Sequence, residues 1–211
     1  MLARAVSTLL APPLCAACAA PCPPGEPICA NCRRALATAP GGSADLPGLG
    51  PVTWAAPYRG VGRNLVTALK FGHRLPLAPV LARAIAASLG PAPLAAIVPV
   101  PAAPSRRRRR GFDPAELIAS ALAAELGLRR LAPLERGDGP RQVGRRRAER
   151  LADPPRVWTV APVPERLLLV DDVLTTGATL RACAAALRRA GALEVTAGVF
   201  ARALGDRGAA A

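Results

Sequence analysis

Residues 166–179 read Arg-Leu-Leu-Leu-Val-Asp-Asp-Val-Leu-Thr-Thr-Gly-Ala-Thr, and this stretch decides the fold of the chain. The apolar run 167–170 is typical of a parallel strand covered on both faces, and Asp171 and Asp172 follow at its predicted carboxyl end. Residues 175–179 are small and carry three hydroxyls, which suits a loop whose backbone N–H groups surround an anion. Open α/β sheets bind ligands at this edge, so the stretch predicts a ligand site.

A helix is predicted directly after this loop. Its apolar residues recur at positions i, i+3, i+4 and i+7, namely Leu180, Cys183, Ala184 and Leu187, and Gly191 suits its C-terminal end. A phosphate at the helix N-terminus would meet unpaired N–H groups and the positive end of the helix dipole. The pattern therefore indicates a ligand with a phosphate and vicinal hydroxyls; the alternative is that the two carboxylates only cap and solvate a strand end.

The length of 211 residues allows one α/β domain and a small appendage. We predict an N-terminal helix and a small module that contains five of the six cysteines over 1–40, a linker over 41–51, the main domain over 52–205 and a tail over 206–211. Hydrophobic residues make up 51% of the chain and charged residues 20%, a balance that argues against disorder.

The net charge is +14, and only one of the 28 basic residues, Lys70, is a lysine. This charge predicts attraction to nucleic acid or to phosphorylated ligands. The scarcity of lysine indicates a compositional bias toward arginine, so part of the charge is background. Aromatic residues are 3% of the chain, which offers few platforms for stacking single-stranded bases.

The N-terminal segment 1–14 has weak features of an export signal. However, Pro12-Pro13 interrupts the apolar run, and the bulky Leu14 stands where a cleavage or lipidation site before Cys15 needs a small residue. The spacing of its apolar residues better fits a short amphipathic helix. Because the chain also has no run of 18 uncharged apolar residues, we predict no membrane span and a cytoplasmic protein.

Two CxxC motifs lie near the N-terminus, formed by Cys15 with Cys18 and by Cys29 with Cys32. Each can present two thiolates to one ion, so together they supply the four sulfurs of a structural Zn²⁺ site. Cys22 lies between the motifs and can compete as a ligand. The alternative of two disulfides requires an oxidising compartment.

Further strands and helices follow from hydrophobic periodicity and from end signals. Strands are predicted over 52–56, 94–100, 128–134, 157–160 and 194–200, and helices over 61–71, 77–89 and 114–127. The last of these helices has Asp113 as its N-cap and Pro114 at its first position. The Gly60-Val-Gly62 segment does not predict a dinucleotide loop, because Leu65 stands in place of the third glycine.

Two arginine-rich segments are polar enough to lie outside the core. The run 106–110 can grip a pyrophosphate, contact a nucleic-acid backbone, or lie solvated. The segment 137–150 is a candidate lid that closes over a charged ligand, or else a disordered connector.

The order of these motifs resembles the ComF family, also called the GntX or competence-protein-F type, of phosphoribosyltransferase-like proteins. The resemblance spans nearly the whole chain. Besides the double CxxC, it includes Tyr58-Arg-Gly60, Leu69-Lys70-Phe71, Val98-Pro-Val-Pro101, Arg110-Gly-Phe112, Gln142, Gly144, Glu149-Arg150 and the segment 170–179.

The resemblance implies an α/β fold with a type I phosphoribosyltransferase-like parallel sheet flanked by helices, plus a small N-terminal zinc module with four cysteine ligands. It implies binding of phosphoribosyl pyrophosphate with Mg²⁺, where Asp171 and Asp172 are catalytic and face the ribose hydroxyls and the metal. The implied substrate-binding residues are Thr175, Thr176, Gly177, Ala178, Thr179, Val100, Arg110 and Arg141.

Three functions are compatible with these features. The first is transfer of the phosphoribosyl group to an unknown acceptor. The second, implied by the family name, is a non-catalytic DNA-uptake factor that binds single-stranded DNA or a helicase-like partner. The third is a basic zinc-containing adaptor without a small ligand, which the Asp-Asp-Val-Leu-Thr-Thr-Gly pattern disfavours.

Overall fold

A computed structural model describes residues 13–138 and 155–203. Its helices are α1 (Ala30–Ala37), α2 (Gly60–Phe71), α3 (Ala78–Ser88), α4 (Pro104–Arg110), α5 (Pro114–Leu126) and α6 (Ala178–Arg189), with a 3₁₀ turn over Leu75–Leu77. Its strands are β1 (Gly42–Leu46), β2 (Gly50–Pro57), β3 (Ala96–Pro99), β4 (Arg129–Arg130), β5 (Leu134–Arg136), β6 (Val157–Thr159), β7 (Arg166–Leu174) and β8 (Glu194–Arg202).

Six strands form the central sheet in the order β1-β2-β8-β7-β3-β4. The strands from β2 to β4 in this order are parallel, and β1 is an antiparallel edge strand. After β3 the chain continues to β4, which lies on one side of β3 in the sheet. After β7 it continues to β8, which lies on the opposite side of β7. The carboxyl ends of β3 and β7 therefore flank the point where the strand order reverses, where open α/β sheets bind ligands.

Strand β7 is buried between two hydrophobic cores because its side chains alternate between the faces of the sheet. Leu168 and Val170 pack with α2, α3 and α5, while Leu167 and Leu169 pack with α6 and with the small antiparallel sheet of β5 and β6. The prediction of a mostly parallel sheet with helices on both faces is confirmed. No helix in the described ranges is both long and apolar enough to cross a membrane.

Strand β7 is longer than the sequence pattern predicts. Its pairing with β8 continues past the apolar run through Asp171 and Val173 to Leu174. The acidic pair therefore lies within the strand rather than after it. The apolar pattern missed this because pairing with a distant strand, and not hydrophobicity, extends the element.

Two further segments differ from the sequence prediction. The segment 41–51, predicted to be a linker, contains β1 and the beginning of β2. The arginine run 106–110 lies on the short helix α4, which Pro104 begins and Gly111 ends in a left-handed conformation at φ 80°. The division of the chain at residues 40, 51 and 205 stays a prediction.

The cap of helix α5 joins the helix to the loop that follows β3. Asp113 Oδ1 accepts a hydrogen bond from the N–H of Ala115 at 3.1 Å, as predicted for the N-cap, and Oδ2 accepts one from the N–H of Ala102 at 2.7 Å. The helix ends at Gly127, which has the left-handed φ of 66°. One carboxylate thus fixes both the helix and the loop beside the ligand edge.

We expect Asp113→Ala to lower the free energy of unfolding by about 2 kcal/mol, because it removes the cap and leaves the N–H of Ala102 unpaired. Asp113→Asn, which keeps one acceptor oxygen, should lose about half as much. Urea unfolding measures both, with Asp45→Ala on exposed β1 as the control. Equal midpoints for wild type and Asp113→Ala would refute this role.

Candidate functional site

The two carboxylates of the acidic pair face different surroundings. Asp172 is 6% exposed, and its Oδ1 accepts a hydrogen bond at 2.6 Å from Nζ of Lys70, at the end of α2. Asp171 follows the alternation of the strand to the opposite, α6 side of the sheet. Its Oδ1 accepts a hydrogen bond from the backbone N–H of Asp172 at 2.8 Å. Only one of the two carboxylates is thus neutralised by a lysine.

Burial, and then the negative charge of Asp172, raise the pKa of Asp171 to about 8, while the N–H bond from Asp172 and the charge of Lys70 act in the opposite direction. Asp171 is therefore largely protonated at neutral pH when no cation lies beside it. A bound cation would stabilise the ionised form of Asp171, since opposite charge favours ionisation. Oxygen ligands of this kind fit Mg²⁺, which binds through one or two carboxylates.

The loop 175–179 turns the end of β7 into helix α6. Gly177 has φ 74°, and a Cβ at this position would lie 3.0 Å from Cδ1 of Leu46. The left-handed backbone conformation therefore favours a glycine, and a larger side chain would also displace the end of the Leu46 side chain. A pocket of about 40 Å³ lies in the loop and is lined by Asp171 and residues 173–180. The first N–H groups of α6 lie at this same end of the helix.

The three remaining predicted ligand residues are Val100, Arg110 and Arg141. The N–H of Val100 donates to the carbonyl of Val170 at 2.9 Å, and its side chain is buried in the core. Val100 thus lies beside the acidic pair and can offer a ligand its backbone only. Cζ of Arg110 lies 5.5 Å from the centroid of the exposed Phe71 ring. Arg141 lies outside the described residues, and all three assignments stay predictions.

Two functional candidates were missed by sequence reasoning, Lys70 and Arg136. Lys70 had two signals available, because it is the only lysine among 28 basic residues and lies in the Leu69-Lys70-Phe71 motif of the family resemblance. Arg136 had none, since it ends a three-residue strand outside the predicted motifs. Nη1 of Arg136 lies 3.5 Å from the carbonyl oxygen of Pro101, in the loop after β3.

The N-terminal cysteines form a second cluster. The sulfurs of Cys15, Cys18, Cys29 and Cys32 all lie within 4.8 Å of one another. The N–H groups of Cys29 and Ala17 point at Sγ of Cys15, at 3.3 and 3.4 Å, where they stabilise a thiolate. Four thiolates around one point match the ligand set of tetrahedral Zn²⁺, and the predicted cluster of four cysteines is confirmed.

The fifth cysteine of this region, Cys22, is not part of the cluster. It is 6% exposed and packs into the hydrophobic core beneath it. All six cysteines of the chain are unpaired in the structure. The geometry therefore favours the four CxxC thiols over Cys22 as metal ligands.

We expect the purified protein to contain about one Zn²⁺ per chain, and Cys18→Ser and Cys32→Ser to lose most of it, because each removes one of four ligands. Elemental analysis and the absorption of the Co²⁺-substituted protein measure the site. Cys22→Ser is the matched control and should keep the metal. Loss of metal in Cys22→Ser with retention in Cys18→Ser would assign the ligands differently.

A cavity of about 1000 Å³ lies away from the acidic pair, at the edge of the sheet where the parallel strands begin. Its lining is mainly apolar and includes Ile28, Leu36, Thr53, Val80 and Leu168. None of residues 171–179 lines it. The cavity of about 1000 Å³ is thus separate from the small pocket in the loop 175–179.

Comparison with known proteins identifies one curated relative. The chain is 33% identical over 100 residues to "Competence protein ComFC" of Streptococcus pneumoniae (strain ATCC BAA-255 / R6), and the match covers 46% of this chain and 44% of the relative. The match thus spans less than half the length of that relative. No family model matches the chain.

Among solved structures, the chain overlaps with glutamine phosphoribosylpyrophosphate (PRPP) amidotransferase from B. subtilis complexed with ADP and GMP. The sequence identity is 21% and the TM-score is 0.37, and the overlap covers 57% of this chain and 24% of that one. The α/β assignment rests on the strand order and on the helices that cover both faces of the sheet.

Proposed function

We propose that this chain, which resembles the ComF family of phosphoribosyltransferase-like proteins, binds phosphoribosyl pyrophosphate with Mg²⁺ at the end of β7. One observation carries the proposal. The acidic pair, the loop 175–179 and the N-terminus of α6 follow one another without a break at the point where the strand order reverses. The curated relative is a competence protein, and its name supports the family resemblance.

Each part of this segment suits one part of the ligand. The N–H groups of the loop and of the first turn of α6 suit the 5′-phosphate, since they lie at the positive end of a helix, and that of Ala178 makes only a long contact of 3.4 Å with Oγ1 of Thr176. Asp171 and Asp172 suit the ribose hydroxyls, because carboxylates accept hydrogen bonds from a diol. Asp171, which lacks a lysine partner, is the carboxylate that would hold Mg²⁺. Bound Mg²⁺ would neutralise negative charge on the pyrophosphate.

Transfer of the phosphoribosyl group to an acceptor is the reaction that such a complex supports. Breaking the bond between C1 and the pyrophosphate develops positive charge on the sugar, as in glycoside transfer. Carboxylates that already lie beside the ribose would stabilise that charge. The acceptor is not defined by the residues at the site.

Calorimetric titration tests the binding proposal. Wild type should bind phosphoribosyl pyrophosphate more tightly with Mg²⁺ than without it, and the Asp171→Asn, Asp172→Asn double variant should bind at least a hundredfold more weakly. The control titrates the same proteins with inorganic phosphate alone. Undetectable binding by folded, metal-loaded wild type would reject the proposal.

A second candidate function is DNA uptake, with single-stranded DNA or a helicase-like protein as the partner. Residues 106–109 of α4 are exposed arginines and present a basic surface. The curated relative is also named as a competence protein. Phosphate contacts by arginine release counterions, so DNA binding should weaken steeply with salt.

Fluorescence anisotropy with a labelled single strand separates the two functions. Replacement of Arg106, Arg107 and Arg109 by Gln should weaken DNA binding and flatten its salt dependence, whereas the double aspartate variant should leave DNA binding unchanged. Equal DNA binding by all variants would reject α4 as the contact surface.

In either function the four-cysteine module would hold a structural Zn²⁺, and the cytoplasmic location stays a prediction from the sequence.

A further inference from the structure

The cavity of about 1000 Å³ is a groove between two helices on one face of the sheet. One wall is a face of α1, formed by residues 33, 36 and 37, and the other is a face of α3, formed by residues 80, 83, 84 and 87. Both sets follow the spacing of a single helical face. The floor consists of small side chains from β1, β2 and β8, namely Ser43, Thr53, Ala55 and Thr196. The groove therefore offers the surroundings that a packed helix meets.

Apolar surface in this groove is not fully covered by the described residues. Leu36, Val80 and Ala84 are half-buried there. Ala87, one turn further along α3, is exposed. Sheets of this class are normally covered by helices on both faces. A segment that fills the groove would gain free energy because it removes apolar area from water.

The chain before the described residues has the composition to fill the groove. Residues 1–12 read Met-Leu-Ala-Arg-Ala-Val-Ser-Thr-Leu-Leu-Ala-Pro. Four large apolar side chains fall within an arc of about 100° on a helical wheel, namely Leu2, Val6, Leu9 and Leu10. Arg4 and Thr8 fall on the opposite side. An apolar stripe opposite a polar face is typical of a helix that packs against a surface on one side.

This segment joins the described structure close to one wall of the groove. Ile28 lines the groove, and the N–H of Cys29, the next residue, donates to Sγ of Cys15 at 3.3 Å. Pro13, the first described residue, is two positions from Cys15, so it lies within roughly 16 Å of Ile28. A helix of ten residues is about 15 Å long, and each extended residue spans about 3.5 Å. The groove is thus within reach of the segment.

We propose that residues 1–12 form an amphipathic helix that docks into this groove of the same chain, with its apolar face on the sheet and on the two walls. The inference goes beyond the proposed function, because the groove lies where the parallel strands begin and none of residues 171–179 lines it. The groove is a binding site for an amphipathic helix, which the chain itself supplies.

Two observations favour the chain's own segment over an acidic helix of a partner. The arginines on the walls, Arg33 and Arg83, already pair with Glu26 and Glu125. Their charges are therefore balanced without an acidic partner. In addition, attachment at Pro13 keeps the segment near the groove and gives it a high effective concentration there.

Hydrogen exchange of the backbone amides of the full 211-residue chain tests the inference. A free helix of about ten residues is marginal in water, so protection of residues 3–11 reports docking. Val6→Asp should raise their exchange rate by about tenfold or more, because it places a charge in the apolar contact. Thr8→Asp adds the same charge on the opposite face and is the matched control, with an expected change of less than about twofold.

A substitution in the groove locates the docking site. Ala84→Arg fills the groove from the α3 wall and should release residues 3–11 as Val6→Asp does. Ala124→Arg makes the same change at an exposed alanine of α5 outside the groove and should leave the protection unchanged. Should Ala84→Arg unfold, as its thermal melt would show, Ala87→Arg at the exposed rim takes its place.

The other outcomes overturn the inference. Free exchange of residues 3–11 in wild type, or equal exchange in Val6→Asp and Thr8→Asp, would show that the apolar face does not dock. Protection that survives the groove substitution would place the segment elsewhere on the molecule. Protection that falls on dilution, together with a dimer in light scattering, would mean that the segment docks on a second copy instead of its own chain.

Discussion

Asp171→Asn is expected to stabilise the free protein and to abolish binding of its ligand. The pKa of Asp171 is raised from 3.8 to about 8 in the fold, so the folded chain holds the proton more tightly than the unfolded chain does. The contribution of this bound proton to the free energy of unfolding is fully present below about pH 4 and is lost as the pH rises toward 8. Asparagine is neutral throughout, so its advantage should grow over that range, reaching on the order of 5 kcal/mol at pH 8.

Urea unfolding at pH 5, 6.5 and 8 measures this effect, with Asp45→Asn on exposed β1 as the control for loss of a carboxylate. The same Asp171→Asn protein should bind phosphoribosyl pyrophosphate with Mg²⁺ at least a hundredfold more weakly. Opposite effects on stability and binding are typical of residues retained for function. A variant that is less stable than wild type at pH 8 would refute the assignment of Asp171 as an unbalanced carboxylate.

Lys70→Met is expected to give the largest loss of stability among these variants, about 3 kcal/mol, because it leaves Asp172 buried without its cation. Nζ of Lys70 lies 2.6 Å from Oδ1 of Asp172, and the two side chains are 21% and 9% exposed. Urea unfolding measures the loss. The control is Arg63→Met, an exposed cation on the same helix α2, which should cost less than about 0.5 kcal/mol.

A double-mutant cycle shows whether this loss belongs to the ion pair. Adding Asp172→Asn to Lys70→Met should recover much of the lost stability, because the unpaired buried charge is then removed. Additive losses in the double variant would mean that the two residues act independently. They would also remove the reason for treating Lys70 as the residue that fixes the acidic pair.

Local signals explain how much of the fold the sequence predicts. The buried core of β7, the apolar face of α6 and the Asp113 cap depend on neighbours a few residues apart, so periodicity and capping rules find them. The end of β7 at Leu174 depends on pairing with β8, and the strand in the segment 41–51 depends on pairing with β2. Long-range pairing of this kind leaves no periodic pattern in the short segment itself.

The candidate site divides in the same way. Asp171 and the loop 175–179 are predictable because they are contiguous in sequence. Lys70 reaches Asp172 across 102 residues, and Arg136 reaches the loop after β3 only because β5 packs on the core beneath α6. Their placement is a consequence of topology, which residue type and spacing do not encode.

A crystal structure of the protein grown with phosphoribosyl pyrophosphate and Mg²⁺ tests the central claim most directly. We predict that the 5′-phosphate lies within hydrogen-bond distance of the backbone N–H groups of residues 175–179, with the ribose hydroxyls at Asp171 and Asp172. Ligand density at another place, or none in crystals at saturating ligand, would contradict the assignment of the β7 edge as the binding site.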